Sequence, residues 1–152
     1  MANKNPKLVF TYRNTDLADS LIDEIRKASP NVEIYSVFCD FANQESIRKC
    51  ATEINNLSST IDILINNAGV VNTSYHETDQ GIENTFAVNH LGYFLFTNLL
   101  LEKMKGETET RIINVSSAAH GFIKEMQWED INFKNNFGQG LKAVSYTHLT
   151  LP

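Results

Sequence analysis

The groups in this chain that could do chemistry stand in short clusters, each at the end of an apolar run. Tyr12-Arg13-Asn14 follows Leu8-Val9-Phe10, and Cys39-Asp40-Phe41 follows Val32 to Phe38. Asn66-Asn67-Ala68-Gly69 follows Ile61 to Ile65, and Asn114-Val115-Ser116-Ser117 closes a run that begins at Arg111. Small residues such as Ala68 and Gly69 let a backbone come close to a ligand. Serine hydroxyls both donate and accept hydrogen bonds. The Arg13 guanidinium suits a phosphate by charge and by bidentate geometry, although it also reads as a solvated surface arginine. His76, His120 and His148 show no metal-ligand spacing with each other or with Cys39 and Cys50, so no metal site is assigned.

The elements that must hold these clusters are legible from periodicity. Lys7 to Tyr12 reads as a buried strand. A helix follows, capped by Asn14 or Thr15, with Leu17, Leu21, Ile22 and Ile25 on one face, and Pro30-Asn31 ends it. Val32 to Cys39 is a second strand. Asn43 caps a second helix with the stripe Ile47, Cys50, Ala51 and Ile54. Ile61 to Ile65 is a third strand, aliphatic almost throughout, as strands buried on both faces are. A long helix spans about Gln80 to Lys105, and Arg111 to Ser116 is a fourth strand. Strand and helix alternate, so the fold class is α/β, a doubly wound (Rossmann-like) parallel sheet with helices on both faces. Such sheets bind ligands beyond the carboxyl ends of their strands, where the polar clusters lie. After Ser117 the pattern fades into a surface segment containing Gly121, Asn135, Asn136, Gly138 and Gly140, with a short turn near Trp128-Glu129-Asp130.

Bulk properties narrow the classes. The length of 152 residues suits one domain, and 42% hydrophobic with 20% charged residues is a globular composition. A net charge of −5 gives no reason to expect a nucleic-acid partner. Met1 to Lys7 has no apolar signal-peptide core, and Leu91 to Leu101 is too short to span a bilayer. Cys39 and Cys50 form no CxxC pair and read as buried reduced thiols, which fits a reducing compartment, although two cysteines could also pair with each other.

Three motifs in succession carry a resemblance. Asp62-x-x-Ile65-Asn66-Asn67-Ala68-Gly69, then Asn89-His90-Leu91-Gly92-Tyr93-Phe94, then Ile113-Asn114-Val115-Ser116-Ser117, resemble the short-chain dehydrogenases/reductases, in particular the retinol-dehydrogenase-like branch. The resemblance covers about Lys7 to Ala143. It implies an NADP(H)-dependent oxidoreductase interconverting a carbonyl and an alcohol on a retinoid, steroid or other small lipophilic substrate. It implies catalytic roles for Ser117, whose hydroxyl would donate to the substrate carbonyl, and for Asn89, which would hold a proton-relay water. Asn89 reads equally as a buried side-chain-to-backbone bond that bends its helix, and His90 as packing or surface. Cofactor contacts fall on Arg13, Asp40, Phe41, Asn67, Ala68, Gly69 and Ser116. Asp40 would accept from the adenine amino group, though it or Asn43 could simply cap the next helix. Asn66 is expected to bond backbone and hold the sheet. With Tyr12-Arg13 where a carboxylate would bind the ribose 2′-hydroxyl, NADP is favoured over NAD. The branch suggests a cytoplasmic protein, or one on the cytoplasmic face of a membrane when whole.

Two parts of the family pattern are missing. No glycine precedes Gly69, so the Gly-rich phosphate turn and its strand are absent. In a 3-2-1-4-5 strand order that strand is central, so its loss should leave a gap or exposed edges. The Tyr-x-x-x-Lys pair is the second. It should follow Lys142-Ala143, where Val144 stands instead, and Tyr146 is followed four residues on by Thr150. Residues 144–152 resemble the translation of a sequencing adapter, so the expected organisation is an incomplete dehydrogenase domain over 1–143 and a non-native tail. The expectation is an inactive fragment of an enzyme. The alternative is a degenerate, non-catalytic member acting as an interaction scaffold.

Overall fold

The computed structural model describes residues 7–105, 109–117, 128–135 and 137. The tail from Val144, the Lys142-Ala143 junction, and also His120, Gly121, Asn136, Gly138 and Gly140, lie outside the described residues.

Strand β1 (Lys7–Tyr12) leads into helix α1 (Thr15–Ala28), and β2 (Glu33–Phe38) into α2 (Gln44–Leu57). Asn14 caps α1 by accepting from the Leu17 N–H at 3.1 Å, and Asn43 caps α2 by accepting from Ser46 at 3.0 Å. The α2 stripe is buried as its spacing requires: Ile47, Cys50, Ala51 and Ile54 all face the core. The α1 stripe is not. Ala18 is its one buried residue, and Leu17 and Leu21 are 69% and 42% exposed.

Strand β3 (Ile63–Asn66) is followed by a single turn, α3 (Asn84–Phe86), a π-helical turn (Ala87–Leu91), and α4 (Gly92–Met104), and then by strand β4 (Arg111–Asn114). The expected start of this helix at about Gln80 is corrected by Gly81, whose φ of +73° is incompatible with a right-handed helix. The expected fourth strand stops two residues early, at Asn114, although the Val115 N–H still donates to the Asn66 carbonyl at 2.9 Å. A 3₁₀ turn at Trp128–Asp130 sits where the turn signal stands in the sequence.

The strands pair in parallel but in two separate two-stranded sheets, β1 with β2 and β3 with β4. The registers run from Lys7↔Glu33 to Tyr12↔Phe38 and from Ile63↔Arg111 to Asn66↔Asn114. Among the described residues no backbone hydrogen bonds join β1 to β3. This also corrects the expectation for β3. Leu64 and Asn66 are buried, whereas Ile63 and Ile65 are each 58% exposed. One face packs on α4, and nothing described covers the other.

The core lies where α2 packs on α4, with β2 and β3 beneath. Val37, Ile47, Cys50, Leu64, Phe96, Leu100 and Met104 fill it. The Phe41 ring meets Tyr93 and Phe96 edge-on, with centroids 5.3 and 5.4 Å away, linking the end of β2 to α4.

Candidate functional site

The π turn organises the expected site. Asn89 is 8% exposed, and its carboxamide bonds both backbone groups of Val70. Oδ1 accepts from the Val70 N–H at 2.8 Å and Nδ2 donates to the Val70 carbonyl at 2.9 Å. Such a pairing copies what a neighbouring strand would supply, so it fixes the chain just past Ala68-Gly69. The buried side-chain-to-backbone bond read from the sequence is present, reaching back to Val70, and the helix around Asn89 is a π turn. π turns of this kind recur at functional sites.

The same turn reaches a second cluster. A Cβ on Gly92 would lie 3.0 Å from both the Phe41 carbonyl and the Phe41 ring, and 3.1 Å from the Ala87 carbonyl. A side chain there would need its neighbours to give by a few tenths of an ångström, so glycine lets the π turn pack closely on the Asp40-Phe41 segment, while Asn89 holds the chain after Gly69.

Asp40 is half-buried and engaged locally. Its Oδ1 accepts from the Ala42 N–H at 2.9 Å, its N–H donates to Ser46 Oγ at 2.8 Å, and its carbonyl accepts from Asn43. The helix cap is Asn43, so of the two cap candidates Asp40 is not the one used. Asn66 is also corrected in detail. It is 3% exposed and bonds side chains rather than backbone, donating to Thr97 Oγ1 at 3.0 Å and to Asn114 Oδ1 at 2.7 Å. It ties β3 to its register partner on β4 and to α4, which is the sheet-holding role assigned to it.

Asn67, Ala68 and Gly69 are exposed beyond the end of β3, Ser116 and Ser117 beyond the end of β4, and Arg13 beyond the end of β1. These strand ends are therefore open to a ligand. No glycine lies among residues 7–15 to supply phosphate-binding N–H groups.

Two thiols meet in the core. Cys39 and Cys50 are both buried, and the Cys50 thiol is pushed far up by its hydrogen bond to Cys39 and by burial. His90 stacks on Phe86 with ring centroids 5.3 Å apart, which is the packing role read for it. Among the described residues no group of three or more His, Cys, Asp or Glu is arranged for a metal ion, and no helix is long and apolar enough to cross a membrane.

Sequence reasoning missed Glu83 and Asn132. Glu83 is fully buried and caps α3, with Oε1 accepting from Thr85 at 2.9 Å and Oε2 from Phe86 at 2.7 Å. Asn132 accepts from the Glu83 N–H at 3.2 Å and donates to the Gly81 carbonyl at 3.1 Å. Gly81 was the available signal, since an isolated glycine inside a helical pattern weakens the case for an unbroken helix.

The short chain dehydrogenase family model matches residues 1–128, so this chain belongs to the short-chain dehydrogenases. Its relatives include "Retinol dehydrogenase 13" of Homo sapiens, 37% identical over 134 residues, covering 88% of this chain and 40% of that one. "Retinol dehydrogenase 12" of Mus musculus is 33% identical over 151 residues, covering 99% of this chain and 46% of that one. The chain thus spans less than half the length of these curated relatives. Among solved structures, a metagenomic short-chain oxidoreductase in complex with NADP superimposes with a TM-score of 0.69 at 24% identity, over 93% of this chain and 58% of the other. A short-chain dehydrogenase from Sphingobium yanoikuyae in complex with NADPH gives 0.69 at 19% identity, over 93% and 50%. Both show the Rossmann-like fold of the family.

Proposed function

We propose that this chain is part of an NADP(H)-dependent reductase that interconverts a lipophilic carbonyl and its alcohol, with a retinoid- or steroid-like substrate, and that the 152-residue chain itself is inactive. The observation that carries this reading is the π turn. Through Asn89 and Gly92 it holds the segments after β3 and β2 at one edge, beside the exposed Ser116-Ser117 after β4. The retinol dehydrogenase relatives support the substrate class, and the NADP and NADPH complexes of structural neighbours support the cofactor.

The nicotinamide group supplies the hydride when bound; the protein orients and stabilises. Ser117 Oγ donates to the carbonyl oxygen and stabilises the alkoxide that develops there. The Asn89 side chain is committed to Val70, so a relay water would have to be held by the backbone of the π turn. Ala68 and Gly69 would admit a dinucleotide close to the end of β3, Ser116 would line its nicotinamide side, and Asp40 with Phe41 would border the adenine. Arg13 would pair with a 2′-phosphate. A whole protein of this kind acts in the cytoplasm or on the cytoplasmic face of a membrane.

Sequencing the native transcript across Ala143–Val144 and upstream of Met1 is the first test. A Tyr-x-x-x-Lys after Ala143 and a Gly-rich turn before Lys7 are expected. The protein so encoded should oxidise NADPH with a lipophilic aldehyde, prefer it to NADH, and lose that preference in Arg13→Glu. If Val144 is genuine and the protein binds no nucleotide, the scaffold alternative replaces the enzyme reading.

A further inference from the structure

Glu83 is the one fully buried carboxylate among the described residues, and the segment that closes over it comes from far along the chain. Its carboxylate holds the first N–H groups of α3, and its own carbonyl accepts from the Ala87 N–H at 2.8 Å, where the π turn begins. The helix entrance and the turn that carries Asn89 are therefore one hydrogen-bonded unit. Asn132 staples that entrance from outside. Its Oδ1 takes the Glu83 N–H and its Nδ2 gives to the Gly81 carbonyl, bridging both sides of the bend made by Gly81.

The staple is held under strain. Phe133, next in sequence, has φ of +54° yet is fully buried. The left-handed region costs an L-residue roughly 1–2 kcal/mol, so burial of the ring and the Phe133 N–H bond to Asp130 at 2.8 Å must hold it there. Lys134, one residue on, pairs with Glu77 at 2.9 Å. Asn132 and Lys134 are thereby fastened to the loop that precedes Asn89.

We propose that Asn132 is a positioning residue of this site: by fixing Glu83 at the helix entrance, it sets where the π turn places Asn89 against Val70. The proposal rests on the reading of Asn89 as a site group. Asn132 acts through Glu83 and α3. An amide is required because one side chain must accept from an N–H and donate to a carbonyl at once.

The test is nuclear magnetic resonance on the ¹⁵N-labelled 152-residue chain, following the Asn89 carboxamide and the Val70 amide against Val37 in β2 as reference. In Asn132→Ala the Asn89 and Val70 signals should move and exchange about five- to thirtyfold faster relative to Val37, the change that loss of one to both of its neutral hydrogen bonds corresponds to. Asn132→Asp keeps the acceptor for the Glu83 N–H, so the same signals should move less, in the same direction. Unmoved Asn89 and Val70 signals overturn the proposal. So does a change spread equally to Val37, which would make Asn132 a general stabiliser. If Asn132→Ala does not fold, the aspartate variant decides by the same criteria, and its failure to fold also counts against the proposal. The measurement uses no nucleotide. A protein without reductase activity would refute the proposed function and leave this coupling intact, whereas unmoved signals would refute the coupling alone.

Discussion

Replacing Asn89 with alanine tests how much of the fold hangs on one carboxamide. The substitution removes two hydrogen bonds, of 2.8 and 2.9 Å, from a side chain that is 8% exposed. Each neutral bond contributes about 1 kcal/mol net, and Val70 N–H and C=O groups left without water would cost about 1–3 kcal/mol more. Alanine returns roughly half a kcal/mol through helix propensity. A net loss of about 2.5–4.5 kcal/mol follows. With a urea dependence of about 2 kcal/mol/M for a chain of this size, the midpoint should fall by about 1–2 M, read by far-ultraviolet circular dichroism. Asn98→Ala is the control. It removes a 2.7 Å side-chain bond to the Phe94 carbonyl on the exposed face of α4, and should change stability by no more than about 0.5 kcal/mol. If Asn89→Ala shifts the midpoint no further than Asn98→Ala, the two-bond account of the π turn is refuted.

Gly92→Ala places a Cβ against the Phe41 carbonyl and ring, and overpacking of this kind costs about 1–3 kcal/mol, so the melting temperature should fall; an unchanged value would mean that Phe41 yields freely. Tyr93 Oη is buried with no hydrogen-bond partner among the described residues, so Tyr93→Phe should hold or raise stability by up to about 1 kcal/mol in the same urea assay, and a clear loss would reveal a partner. Burial pushes the Tyr93 phenol up to about 12, and burial with the Glu77 hydrogen bond does the same for Tyr75. Absorbance titration at alkaline pH should accordingly show both ionising late. The buried Cys50 thiol, raised above its ordinary value, favours the folded state at and below the unfolded thiol value of about 8.5, and that contribution is lost as pH climbs beyond it. Native protein should therefore resist thiol alkylation at pH 8 and react fully in denaturant, and stability should decline above about pH 8.5; equal alkylation rates in both states would contradict the burial of the pair.

Local signals in the sequence determined much of this protein. Asn14 and Asn43 announce their helices because a cap needs only a short polar side chain and three following residues, both of which are written locally. The α2 stripe and the four strands follow from periodicity, and three motifs in succession identified the family because their combination is specific. What the tertiary structure decided is what depends on a distant partner. Leu17, Leu21, Ile63 and Ile65 read as core because they are apolar and well spaced, yet they stand exposed, since spacing records which face a residue shares and not what covers that face. The π turn, the close approach of Gly92 to Phe41 and the grip of Asn132 on Glu83 join residues separated by tens of positions, so no local window contains them. The separation into two small sheets is of the same kind: each parallel pair is specified by its own strands, but whether a sheet is continuous depends on the strand that would lie between them.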